Sequence, residues 1–125
     1  MIVKDIAFAA YPANDVAATR RWYETNLGMR FAGPYIEDGE EKYNEAHLPT
    51  SCFALTWAGY SGRAAGSASG VTFAIDDIDD AVASLEANGI TIDERFDGPV
   101  CRSASFRDPE GNKLTIHESR SANVV

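Results

Sequence analysis

The feature that most constrains this chain is that it repeats itself. Asp15–Gly28 and Asp77–Gly89 share one grammar: an aspartate, a helical apolar stripe and a closing glycine, with first residues 62 apart and last residues 61 apart. In the second segment Ile78, Ala81, Val82 and Leu85 fall at i, i+3, i+4 and i+7, one face of an α-helix. In the first, Val16, Thr19, Tyr23 and Leu27 make the stripe. Asp15 and Asp77 are natural N-caps, because a short side-chain oxygen can accept an orphan backbone N–H. Asp79 and Asp80 sit in a first turn, where the helix dipole favours anions. Gly28 and Gly89 stop their helices by entering the left-handed region.

Strands flank each helix. Residues 6–10 and 71–75 precede them, alternating bulky and small residues with period two. Met29–Phe31 and Ile90–Ile92 follow them. Lys42–Leu48 and Cys52–Trp57 complete the first half around Pro49; Cys101–Arg107 and Lys113–Glu118 complete the second. The last two are joined by Asp108-Pro-Glu-Gly111, with Asp, Pro and Gly where a type I turn prefers them. Each half therefore reads βαβββ, and the fold class is α+β. At 125 residues the chain is expected to be one domain: a first module at about 2–58, a linker at 59–70 and a second module at about 71–118. The linker carries Gly59, Gly62, Gly66 and Gly70 and reads as a flexible connection without an element of its own. Residues 119–125 read as a frayed tail.

Charge and composition exclude several functions. With 11 Lys and Arg against 19 Asp and Glu, the net charge of −8 leaves no basic face for nucleic acid or for an anionic membrane surface. No apolar run approaches the ~20 residues that cross a bilayer. Lys4 and Asp5 interrupt the stretch that a secretory signal would need, so the expected location is the cytoplasm. Cys52 and Cys101 form no CxxC, have no nearby histidine and read as small apolar strand residues, not a disulfide framework. The glycines of the linker match no phosphate-binding loop. The acidic balance is mostly solvated surface and would favour a cationic guest.

The Asp-capped helix running into Trp22-Tyr23-Glu-Thr-Asn-Leu-Gly-Met29, the late Asp108-Pro-Glu-Gly-Asn-Lys-Leu114 and the two βαβββ halves together resemble the vicinal oxygen chelate superfamily. This group includes glyoxalase I, bleomycin-resistance proteins and extradiol dioxygenases, and the resemblance covers roughly residues 2–118. It implies two modules whose strands curl into a curved, mostly antiparallel sheet with helices outside and a ligand in the concave cleft. It also implies a homodimer in which modules complete one another's cleft. Enzymes of the group hold a divalent metal with His, Glu and Gln on cleft-facing strand positions. Here the equivalent places carry Ala7 or Phe8, Ala54, Gly70 or Thr72, and Thr115. None is a histidine or glutamate, so no metal cofactor is expected.

Strand alternation places Ile6, Phe8, Val71, Phe73, Ile75, Leu114 and Ile116 under the helices. Their alternates then face the cleft: Asp5, Ala7 and Ala9; Cys52, Ala54 and Thr56; Gly70, Thr72 and Ala74; Lys113, Thr115 and His117. The candidate ligand-binding residues are Thr56, Thr72, Thr115, His117, His47 and Trp57. His117 reads either as a half-buried strand histidine bonded to a neighbour or as a ligand or proton-transfer group, and it is the one catalytic candidate. His47 with Glu45 reads as a rim pair or a working carboxylate–histidine pair. A metal site of Glu45, His47 and His117 would be off-pattern. Trp22 and Tyr23 read as core packing. Trp57 reads as core or dimer contact, or as an aromatic cleft wall. The expected function is binding of a small molecule in the cleft without the family metal. The alternatives are a metal-dependent lyase or dioxygenase of the glyoxalase type, a metal-free isomerase using His117, and a structural or regulatory subunit.

Overall fold

Both duplicated helices form, and the residues that the sequence assigns start and stop them. The computed structural model describes residues 1–119 and runs β1 (Ala9–Ala13), α1 (Val16–Leu27), β2 (Phe31–Glu37), β3 (Glu40–His47), β4 (Cys52–Trp57), α2 (Ala58–Ser61), β5 (Val71–Ala74), α3 (Ile78–Ala87), β6 (Glu94–Asp97), β7 (Cys101–Arg107) and β8 (Lys113–Ser119). Asp15 accepts the Ala18 N–H at 3.0 Å and Asp77 accepts that of Asp80 at 3.1 Å. Gly28 and Gly89 take φ values of 63° and 80°, a region that costs a side-chain-bearing residue free energy. The expected tail lies almost wholly outside the described residues.

The chain divides into two compact units, Met1–Ala68 and a second that begins at Ser69. Each holds a four-stranded mixed sheet, in the orders β1-β4-β3-β2 and β5-β8-β7-β6. The first two strands of each order pair in parallel and the others antiparallel, as the duplication demands. In the first unit the helix buries Val16, Thr19 and Tyr23 against Tyr11, Ala13, Ala46, Phe53 and Leu55. Tyr11, Tyr23 and Phe53 interlock, with Tyr11–Phe53 and Tyr23–Phe53 centroids both 5.4 Å apart. Trp22 is only half-buried, edge-on to Tyr23. In the second unit Ile78, Val82 and Leu85 meet the buried row Ala104, Phe106, Leu114 and Ile116. Each fully buried Val, Leu, Ile or Phe side chain among these contributes roughly 1.5–3 kcal/mol.

Four boundaries differ from the sequence reading. The first strand lies at Ala9–Ala13, not at residues 6–10, and Ile6 is 78% exposed. Pro12 lies inside this strand, which tolerates it because β1 is the edge of its sheet, where a missing N–H costs little. The shift inverts the facing: Ala9 pairs with Phe53 on the helix side and Ala10 with Ala54 on the open side. Phe8 accordingly leaves the core, its ring edge-on to Tyr43 at 6.0 Å. The second strand of the second unit is Glu94–Asp97, not Ile90–Ile92, because the half-buried Ile90 belongs to the turn that its N–H closes on the Leu85 carbonyl. The second strand extends to Glu37, well past Phe31. The linker carries a helical turn, α2, ended by Gly62 at φ 70°. Gly59 is required there, since a Cβ would stand 2.4 Å from the Trp57 ring.

Candidate functional site

Each sheet covers one face with its helix and leaves the other open. On the open face of the first unit, β4 contributes Cys52, Ala54 and Thr56, and β3 contributes Tyr43, Glu45 and His47. Ala10 and Pro12 of β1 lie alongside Ala54 and Thr56. Tyr43 faces Thr56, Glu45 faces Ala54 and His47 faces Cys52. Among these side chains Glu45 is the hub. Its Oε1 accepts the Tyr43 hydroxyl at 2.6 Å, while its Oε2 accepts the Cys52 thiol at 3.7 Å and lies 3.5 Å from His47 Nε2. Burial, then the bond to Glu45, pushes the Tyr43 phenol far above its ordinary range, so it remains a donor. Burial and the Glu45 charge push the Cys52 thiol up as well.

The open face of the second unit is lined with hydroxyls. Thr72, Thr115, Ser105 and Glu94 form one row across the strands, and Ala74, His117, Ser103 and Phe96 form the next. Ser105 Oγ and Thr115 Oγ1 share a hydrogen bond at 3.0 Å. His117 is half-buried between Ala74 and Ser103. Lys113 Nζ donates to Glu94 at 3.5 Å at the end of the first row.

The sequence candidates thus fall on three surfaces. Thr72, Thr115 and His117 stand together on the second unit, and Thr56 and His47 lie on the open face of the first. Trp57 falls on the opposite side of β4 from Thr56: it pairs with Ala13, and the Lys42 ammonium sits 3.8 Å over its ring. Tyr60 meets that ring edge-on at 5.2 Å. Glu45 and His47 do come together, but their third partner is Cys52 and not His117. Sequence reasoning saw no histidine near either cysteine, because it counted along the chain and not across the turn at Leu48–Ser51, which sets His47 opposite Cys52.

The places that the resemblance assigns to metal ligands carry few donor atoms. Phe8 and Ala54 present only carbon, and Thr115 commits its hydroxyl to Ser105. Gly70 brings no side chain, and Thr72 offers at most one neutral hydroxyl. A divalent transition ion asks for three or four N, O or S donors, so these residues do not fit the family's metal.

The sequence matches the profile of the Glyoxalase/Bleomycin resistance protein/Dioxygenase superfamily over residues 5–116. The chain belongs to that superfamily. Solved structures agree with the superfamily fold. TnmS3, an antibiotic binding protein from Streptomyces sp. CB03234, aligns with a TM-score of 0.79 at 20% identity, covering 95% of this chain and 98% of that one. A lactoylglutathione lyase from Agrobacterium tumefaciens aligns with a TM-score of 0.79 at 20% identity, over 99% of this chain and all of its own (100%). A superfamily member from Sphaerobacter thermophilus DSM 20745 reaches 0.80 at 22% identity, covering 95% and 100%. At these identities the likeness speaks for the fold. No curated protein matches the sequence significantly.

Proposed function

We propose that this superfamily member binds a small molecule against its open sheet faces, as a homodimer in the cytoplasm, without the family's metal chemistry. The observation that carries the reading is the chemical character of the ligand-equivalent positions: carbon at Phe8 and Ala54, a shared hydroxyl at Thr115. Apolar surface next to a few placed polar groups is what a binding site for a drug-sized guest needs. Thr72, Thr115, Ser105 and His117 supply such groups on one face. The name of one structural relative, an antibiotic binding protein, points to a guest of the same general class. The net charge of −8 favours a cationic one.

A thermal-shift screen of antibiotics grouped by charge, followed by calorimetry on any that stabilise the protein, tests this. The expected result is a stoichiometric cationic guest whose affinity falls at least fivefold in His117→Ala. Turnover of lactoylglutathione by protein that no screened compound stabilises would replace the binder with an enzyme.

A further inference from the structure

One cluster on the open face of the first unit uses none of the residues at the family's metal positions, although its Glu45 stands across from one of them, Ala54. We propose that Glu45, His47 and Cys52 form a three-donor site for a borderline-soft divalent cation, with Zn2+ the natural occupant. Among the described residues this is the one group of three His, Cys or acidic side chains whose ligand atoms converge, all lying within 4.8 Å of one another. The chain builds it from a single hairpin. Glu45 and His47 are two apart on β3 and so share a face, and Cys52 is the cross-strand partner of His47 on β4. The Leu48–Ser51 backbone bond of 2.9 Å holds the turn, so the two strands are already in place.

The donor set suits the ion. Thiolate, imidazole and carboxylate are the three ligand types of tetrahedral zinc, at about 2.3, 2.0–2.1 and 2.0–2.2 Å, which sets neighbouring donors roughly 3.3–3.6 Å apart. The two separations that involve Glu45 Oε2, 3.5 Å to His47 and 3.7 Å to Cys52, already lie in or close to that range. His47, with a side chain 71% exposed, can turn to close the third. Glu45 is held by its other oxygen, which the Tyr43 hydroxyl engages at 2.6 Å. Such an outer hydrogen bond orients a ligating carboxylate and leaves one lone-pair face for the metal. On binding, the Cys52 thiol loses its proton to solvent and its sulfur takes the ion. Three protein donors leave a fourth position open to water or to an added ligand.

The inference is independent of the guest proposed above, since the assay uses metal alone. Reduced full-length protein is titrated anaerobically with Co2+, and the thiolate-to-cobalt charge-transfer absorption in the near ultraviolet is followed, with circular dichroism confirming that each variant folds. One equivalent is expected to bind, with a charge-transfer band that excess Zn2+ abolishes. Cys52→Ser should lose the band and Cys101→Ser should keep it. His47→Ala and Glu45→Gln should each weaken binding at least tenfold. Tyr43→Phe should retain the stoichiometry and lose about tenfold in affinity. No band under excess Co2+, or a full band in folded Cys52→Ser, would overturn the site.

Discussion

At the scale of single residues, the parity of β8 makes the sharpest distinction. Ile116 is 2% exposed and packs in the row with Ala104, while His117, its neighbour, sits on the open face. Ile116→Ala should cost about 2–5 kcal/mol, from lost burial and the cavity left behind. His117→Ala removes no core volume and should stay within roughly 1 kcal/mol. Urea denaturation of the two variants separates these outcomes, and equal losses would contradict the facing described for β8. A second residue-scale expectation concerns acid. Bonds from Arg102, then Arg95, hold Asp79 at about 2 against an ordinary 3.8. A depressed carboxylate contributes stability that is fully present above its unfolded value and is lost as pH falls through the folded one. The stability gap between wild type and Asp79→Asn should therefore be constant above pH 4 or so and close towards pH ~2. Because Asp79 is exposed, added salt should narrow the gap at neutral pH as well.

Secondary-structure elements were legible in proportion to how local their causes are. Both long helices could be read from the caps Asp15 and Asp77, the stripes Val16–Thr19–Tyr23 and Ile78–Val82–Leu85, and the stops Gly28 and Gly89, all of which act within one segment. The Asp108–Gly111 turn was legible for the same reason, although its depth was not. Asp108 and Asn112 are buried at 5% and 0%, and the Asp108 carboxylate accepts the Glu110 and Asn112 backbone N–H groups and the Asn112 amide at 2.9–3.0 Å. Asp108→Ala leaves these donors without their acceptor, so a loss of about 1.5–3 kcal/mol is expected in thermal or urea unfolding. A loss below ~0.5 kcal/mol would mean that solvent replaces the carboxylate. What failed was the first strand, whose position depends on a non-local fact. Tyr11, not Phe8, fills the space beside Phe53, and Pro12 is harmless only because β1 has a single neighbour. The cluster around Glu45 was hidden likewise: Tyr43, Glu45 and His47 alternate visibly along β3, but Cys52 joins them only through cross-strand register.

At the scale of the whole molecule, each chain leaves apolar surface unsatisfied. Ile2, Val3 and Ile6 are 87%, 79% and 78% exposed, and Phe8 is 47% exposed. They lead directly into β1, an edge strand of its sheet. Contiguous apolar side chains beside an open strand edge are a liability that soluble proteins cover, and burial returns about 25 cal/mol per Å² of apolar area. A second copy of the chain is the partner that is always present at matching concentration, and two-fold self-association uses the same patch on both copies. Light scattering at tens of micromolar protein should accordingly give twice the chain mass of 13.5 kDa. Val3→Asp combined with Ile6→Asp should shift the population towards monomer without lowering the stability of the first unit's core, since neither residue packs into it. The Co2+ titration provides an internal control, because its three donors lie on one hairpin of one chain and should retain their stoichiometry in the monomeric variant. A wild-type chain that scatters as 13.5 kDa at that concentration would leave the N-terminal apolar residues needing another explanation and would remove the homodimer from the proposed function.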